Sequence, residues 1–216
     1  MPSTSVTVQL AAVSKLYGDF AALRKITAEF EQGRCYVILG DNGAGKSTLL
    51  RVIAGLLHPT FGSVQLFGAS ELESVRHRVG YLSHASMMYD ELTALENLQY
   101  FAGLYSGADL LAPQAALTLV GLDPGLKRPV SQYSQGMRQR AALARVLLAQ
   151  PELLLLDEPF SNIDAASAEQ ILRVLRELRT ANKTILLTTH QPELARPIAD
   201  VFCTMRQGQI VTWSAA

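Results

Sequence analysis

The chain has 216 residues, 49% of them hydrophobic, and its 19 Lys and Arg balance 19 Asp and Glu to a formal charge of zero. That length fits one domain, or one domain carrying an insertion, with enough apolar material for a substantial core. The zero balance argues against a nucleic-acid partner held mainly through phosphates, and no apolar run approaches the roughly 20 residues that a membrane-spanning helix needs.

The N-terminal MPSTSVTVQL lacks a basic start followed by an apolar core, so no signal peptide is expected. VTVQLAAVSKLY (6–17) predicts a strand, and ITAEFE (26–31), closed by Gln32-Gly33, a second. CYVILG (35–40) is a nearly continuous apolar run, the pattern of a strand buried on both faces. After a glycine-rich turn, KSTLLRVIAGLL (46–57) has helical spacing and stops before His58-Pro59. GSVQLFG (62–68) and VGYLS (79–83) predict short strands. Three helices come next, LTALENLQYFAGLY (92–105), PQAALTLVGL (113–122) and GMRQRAALARVLLAQ (136–150). The first opens on Thr93 with Glu96 three residues later, a capping box. Then come the strand LLLLD (153–157), a helix over 165–181, the strand TILLTT (184–189), a short helix near 192–197, and the strands VFCTM and QIVTW.

This alternation predicts an α/β fold with a mostly parallel sheet covered by helices on both faces. Residues 1–85 and 150–216 form the expected core, with 86–149 as an inserted helical subdomain. Cys35 and Cys203 each sit in an apolar run and are expected as buried free thiols in a reducing compartment.

GDNGAGKST matches G-x-x-x-x-G-K-[ST], between a buried strand and a helix, as a phosphate loop requires. Its residues are Gly40, Asp41, Asn42, Gly43, Ala44, Gly45, Lys46, Ser47 and Thr48. The glycines permit a turn that points successive N–H groups inward as a nest for phosphate oxygens. The helix N-terminus adds partial positive charge. Lys46 is expected at the β- and γ-phosphates, Ser47 at Mg²⁺ and Thr48 at the α-phosphate.

The strand LLLLD ends in two adjacent acids. Asp157 is placed to hold Mg²⁺ through water, and Glu158 to accept a proton from an attacking water. TILLTTH runs into His190, an imidazole placed to meet the γ-phosphate. Ligands of parallel α/β sheets bind beyond the carboxyl ends of the strands. Gly40, Asp157 and His190 all fall there.

With these motifs in place, YSQGMRQR (133–140) decides the resemblance. It is similar to the LSGGQxQR signature of the nucleotide-binding subunits of ABC transporters, and the resemblance covers essentially the whole chain. Tyr133, Gln135 and Met137 depart from the pattern; Ser134, Gly136, Gln139 and Arg140 keep it. The resemblance implies a P-loop ATPase core with N-terminal antiparallel strands. It also implies that Ser134 and Gly136 bind the γ-phosphate of ATP held by a second subunit, so that a homodimer closes on two ATP molecules. Tyr17 stands where the family carries an aromatic ring on adenine. SNID (161–164) resembles the D-loop, whose aspartate is Asp164 here. The family's Q-loop glutamine is replaced by His84. YLSHASMMYDELTALENL, DEPFSNID and TTHQPEL are most similar to the ATP-binding subunit of the haem exporter of cytochrome c maturation (CcmA type).

The same resemblance implies a peripheral ATPase on the cytoplasmic face of the inner membrane, coupled to an integral-membrane permease, and the neutral charge balance leads us to expect no nucleic-acid partner. Met87, Met88, Tyr89, Leu92, Tyr100 and Tyr105 fit two readings, a groove for a permease helix or simple core. A soluble ABC ATPase and a non-hydrolytic regulatory module are the competing functions. One short neutral chain argues against the first, and intact Lys46, Asp157, Glu158 and His190 against the second.

Overall fold

A computed structural model describes residues 5–105 and 109–216, so the first four residues of the segment tested for a signal peptide lie outside the described residues. In chain order the elements are β1 (Val6–Tyr17), β2 (Phe20–Glu31), β3 (Cys35–Leu39), α1 (Lys46–Ile53), β4 (Phe61–Leu66), α2 (Leu72–Val75) and β5 (Val79–Leu82). The helices α3 (Ala94–Ala102), α4 (Pro113–Leu119) and α5 (Gln135–Leu147) come after them. The chain closes with β6 (Leu153–Asp157), α6 (Ala165–Thr180), β7 (Thr184–Thr188), α7 (Pro192–Ala195), β8 (Val201–Arg206) and β9 (Gln209–Ala215).

Two sheets form. β2-β1-β4 is antiparallel, and a six-stranded sheet runs β5-β6-β7-β3-β8-β9, parallel except for β9. Alternate side chains of the buried strands serve opposite faces. Cys35, Val37, Leu154, Leu156, Ile185 and Leu187 join one core with residues of α3, α4, α5 and α6. Tyr36, Ile38, Leu153, Leu155 and Leu186 join a second with Leu49, Leu50 and Ile53 of α1 and with Val8, Leu23 and Phe30 of the antiparallel sheet. The expectation of helices over both faces is corrected on that second face. There α1 shares the cover with a second sheet, because β1 and β2 carry enough apolar residues to bury one side.

Element boundaries differ where tertiary contacts decide them. β2 begins six residues before ITAEFE, since FAALRK continues the pairing with β1 through Leu23, Ala21 and Phe20. That stretch lacks the alternation that marks a strand. α1 stops at Ile53 rather than 57, where Leu56 and Leu57 both donate to the Arg51 carbonyl and turn the chain back. Cys35 and Cys203 are fully buried free thiols, and burial pushes each up to about 12, out of reach of thiolate chemistry near neutral pH.

Candidate functional site

The carboxyl ends of β3, β6 and β7 open on one cleft of about 500 Å³. It is lined by the loop residues 41–48, His84, Asp157, Glu158, Ser161 and His190, with Tyr17, Phe20 and Ala22 at the β1–β2 hairpin. Gly45 caps α1 with φ 102°, a backbone angle closed to most side chains, and a Cβ there would stand 2.6 Å from the Ala22 carbonyl. The loop is braced from below by the β8–β9 turn, where Gly208 donates to the Ala44 carbonyl at 3.0 Å and accepts from Arg24 at 2.8 Å. That brace is a contact between residues over 160 positions apart, and no local pattern announces it.

Lys46 is 6% exposed, and its ammonium donates to the carbonyls of Gly40 (2.6 Å) and Asp41 (3.2 Å). His190 Nε2 lies 3.4 Å from Lys46 Nζ and 3.2 Å from Glu158 Oε1. The Ser47 hydroxyl donates to Asp157 Oδ1 at 2.9 Å. A hydroxyl and a carboxylate converging at a helix N-terminus are the hard oxygen donors that Mg²⁺ takes. Glu158 has φ 54°, in the left-handed region, and among the described residues its buried Oε1 accepts no hydrogen bond. The site thus brings together a cation, a carboxylate, an imidazole and a candidate metal seat.

The ABC transporter family profile matches residues 23–161. This chain belongs to the ATP-binding subunits of ABC transporters. It is 35% identical over 208 residues to the bacitracin transport ATP-binding protein BcrA of Enterococcus faecalis, covering 94% of this chain and 68% of that one. The sulfate/thiosulfate import ATP-binding protein CysA of Ralstonia nicotianae is 38% identical over 215 residues, covering 95% of this chain and 58% of its own. The Nod factor export ATP-binding protein I of Rhizobium johnstonii is 36% identical over 211 residues, with 94% and 68% covered. The chain therefore spans from 58% to 68% of the length of these relatives. Among solved structures, the dimeric ATP-binding cassette MJ0796 in a post-hydrolysis state with ADP and Pi matches with a TM-score of 0.87 at 28% identity, covering 96% of this chain and 98% of that one.

The ABC signature residues stand apart from the cleft lining. Ser134 caps α5, its hydroxyl accepting from Met137 N–H at 3.2 Å. Asp164 caps α6 and accepts from the Ser167 N–H (2.9 Å) and hydroxyl (2.8 Å), which hold its carboxyl below the usual carboxylate range. Gly136 lies between them. A Cβ at that position would meet Ser167 Oγ at 2.1 Å and Asp164 Oδ2 at 2.8 Å, so the two helix ends approach only because this residue is glycine. Arg140 donates to the Gly121 carbonyl at 2.8 Å, beyond the end of α4, a packing role that the motif alone did not reveal.

The residues around the Q-loop divide between the two readings. Met87, Tyr89, Tyr100 and Tyr105 are exposed, the first at 63%. Met88 is half-buried against the core, and Leu92 is also half-buried. Tyr89 and Tyr100 meet edge to face at 5.1 Å, and Leu104 is also exposed. His84 is exposed at the mouth of the cleft. Phe20 and Thr188 escaped sequence reasoning. Phe20 faces Tyr17 across the hairpin turn and is 61% exposed in the cleft. Thr188 is an ordinary β-branched strand residue until the strands are paired.

Proposed function

We propose that this chain hydrolyses ATP and thereby drives a membrane permease. The observation that carries the reading is the convergence in one cleft of Lys46, the Ser47–Asp157 pair, Glu158 and His190. Tyr17 stacks on the adenine. The loop from Gly40 through Asp41, Asn42, Gly43, Ala44 and Gly45 to Thr48 cradles the phosphates with its N–H groups. Lys46 turns from the loop carbonyls to the β- and γ-phosphates. Ser47 and, through water, Asp157 would hold Mg²⁺, which would offset charge on the phosphate oxygens. Glu158 takes the proton from an attacking water. His190 and, from a second copy, Ser134 and Gly136 offset the charge that develops on the γ-phosphoryl group. Asp164 organises the dimer interface, and His84 stands in for the family glutamine. Residues 86–149 act as the helical subdomain on a core of 1–85 and 150–216.

The decisive experiment is phosphate release by wild type and Glu158→Gln. The variant is expected to lose turnover by roughly 10²-fold or more, while retaining ATP affinity. A variant that hydrolyses at the normal rate overturns the role of Glu158. Wild type that releases no phosphate, alone or with its membrane partner, overturns the enzyme reading.

The cargo we infer is haem, in cytochrome c maturation, with the chain peripheral on the cytoplasmic face of the inner membrane. Support comes from YLSHASMMYDELTALENL, DEPFSNID and TTHQPEL. The exposed Met87, Tyr89, Tyr100 and Tyr105 supply an apolar surface for the permease. Among the described residues no helix is long and apolar enough to cross a membrane. The identities to a bacitracin transporter and a Nod factor exporter favour export of another cargo as the second reading. Capture of the chain from detergent-solubilised native membranes separates them. Membrane subunits with haem absorption support the first, and membrane subunits without a haem link support the second.

A further inference from the structure

We propose that Thr188 is a positioning residue that sets the geometry of both acids at once, an inference that rests on the roles assigned to Asp157 and Glu158. Thr188 is the last residue of β7, pairs with Asp157 across the parallel ladder, and is fully buried. Its hydroxyl donates to Asp157 Oδ1 at 2.8 Å, the same oxygen that accepts the Ser47 hydroxyl at 2.9 Å. The Thr188 oxygen in turn accepts the backbone N–H of Glu158 at 2.9 Å. A hydroxyl has one proton to give and lone pairs to receive, so a single side chain completes both bonds.

Each bond fixes something the reaction needs. Two hydroxyls on one carboxylate oxygen lock the rotamer of Asp157, the residue placed to hold the metal through water. Partners of this kind orient a ligand that would otherwise rotate. The bond to the Glu158 N–H anchors a residue whose φ of 54° is unfavourable for a glutamate. It therefore aims the carboxylate toward His190, whose backbone N–H lies 3.2 Å from Glu158 Oε2. The hydroxyl of the next residue, Thr189, is engaged elsewhere, accepting the Gln191 N–H at 2.9 Å. Strand β7 thus ties the metal seat and the base together before the chain reaches the histidine.

The test uses the full chain with Thr188→Val, which matches the shape and removes the hydroxyl, and Thr188→Ser, which keeps it. Three quantities are measured: Mn²⁺ affinity in the presence of ADP by electron paramagnetic resonance, hydrogen exchange at the Glu158 amide, and steady-state ATP hydrolysis. T188V is expected to weaken Mn²⁺ binding about 10-fold and to lower kcat about 10- to 100-fold, with KM for ATP within about twofold of wild type. Exchange at the Glu158 amide should quicken, because its acceptor is gone. T188S should recover all three. The proposal is overturned if T188V keeps wild-type Mn²⁺ affinity and Glu158 protection, or if T188S fails as badly as T188V. If wild type binds Mn²⁺ and ADP yet releases no phosphate, the ATPase reading falls, and the Mn²⁺ and exchange results still decide the role of Thr188.

Discussion

At the scale of single residues, the backbone of Glu158 and the ring of Phe20 matter most. Glu158 sits in the left-handed region, where a non-glycine residue costs about 1–2 kcal/mol. The fold meets that cost by bonding its N–H to Thr188 and placing its carboxylate beside His190. Phe20 lies opposite Tyr17, both rings are exposed, and both line the cleft. Two aromatic faces at the rim offer stacking surface for a base. Phe20→Ala and Tyr17→Ala are each expected to weaken ATP binding by about 1–3 kcal/mol. Binding of inorganic triphosphate, which has no base, should be unchanged. Titration with both ligands checks this, and an equal loss for the two would remove the rings from base recognition.

At the scale of elements, α3 is held by an arrangement that its capping box only begins. Thr93 and Glu96 exchange the bonds of the box, and they keep the Glu96 carboxyl below its ordinary range. One residue on, Asn97 is fully buried. Its amide donates to the carbonyls of Tyr89 and Thr93, both at 3.0 Å, and its oxygen accepts the Tyr89 N–H at 2.7 Å. This clamps the segment after His84 onto the helix. Beside it, Asp90 pairs with Arg138 of α5 at 2.6 Å and accepts from Ser131 N–H through its carbonyl. The exposed segment is therefore tied to the helix that carries the signature. Asn97→Leu takes the acceptor from the Tyr89 N–H and removes the side-chain bonds to the Tyr89 and Thr93 carbonyls, and should cost about 2 kcal/mol, lowering Tm by about 4–8 °C. Arg138→Ala, which breaks a partly exposed pair, should cost about 1 kcal/mol or less. Thermal melts that rank these two the other way would refute the clamp.

At the scale of the whole molecule, the cleft and the signature segment are the two parts that the proposed mechanism brings together. Ser134 and Gly136 do not line the cleft that holds Lys46 and Glu158. The proposed mechanism calls for a second copy to join the two parts; MJ0796, which shares 28% identity over 96% of this chain, is dimeric. Glu158→Gln is expected to sediment as a dimer in ATP and as a monomer without nucleotide. A variant that binds ATP yet stays monomeric would contradict the shared site.

Much of this protein was legible in its sequence because the deciding interactions are short-ranged. The loop GDNGAGKST, the acids after LLLL and the box at Thr93 each depend on residues within one or two turns of chain. β1, β6 and the order of strands and helices could be read from apolar runs and their breaks. The tertiary structure decided what those patterns could not contain. FAALRK became a strand through pairing, and the antiparallel sheet took one face of the larger sheet. Gly136 proved necessary to the approach of α5 and α6, and the β8–β9 turn came to rest against the phosphate loop. Thr188 gained its two acidic neighbours when β6 and β7 were laid side by side. Apart from the hairpin pairing of FAALRK, these contacts join residues about 30 to more than 160 positions apart. Composition and periodicity describe a chain along its length, whereas these neighbours exist only across the fold.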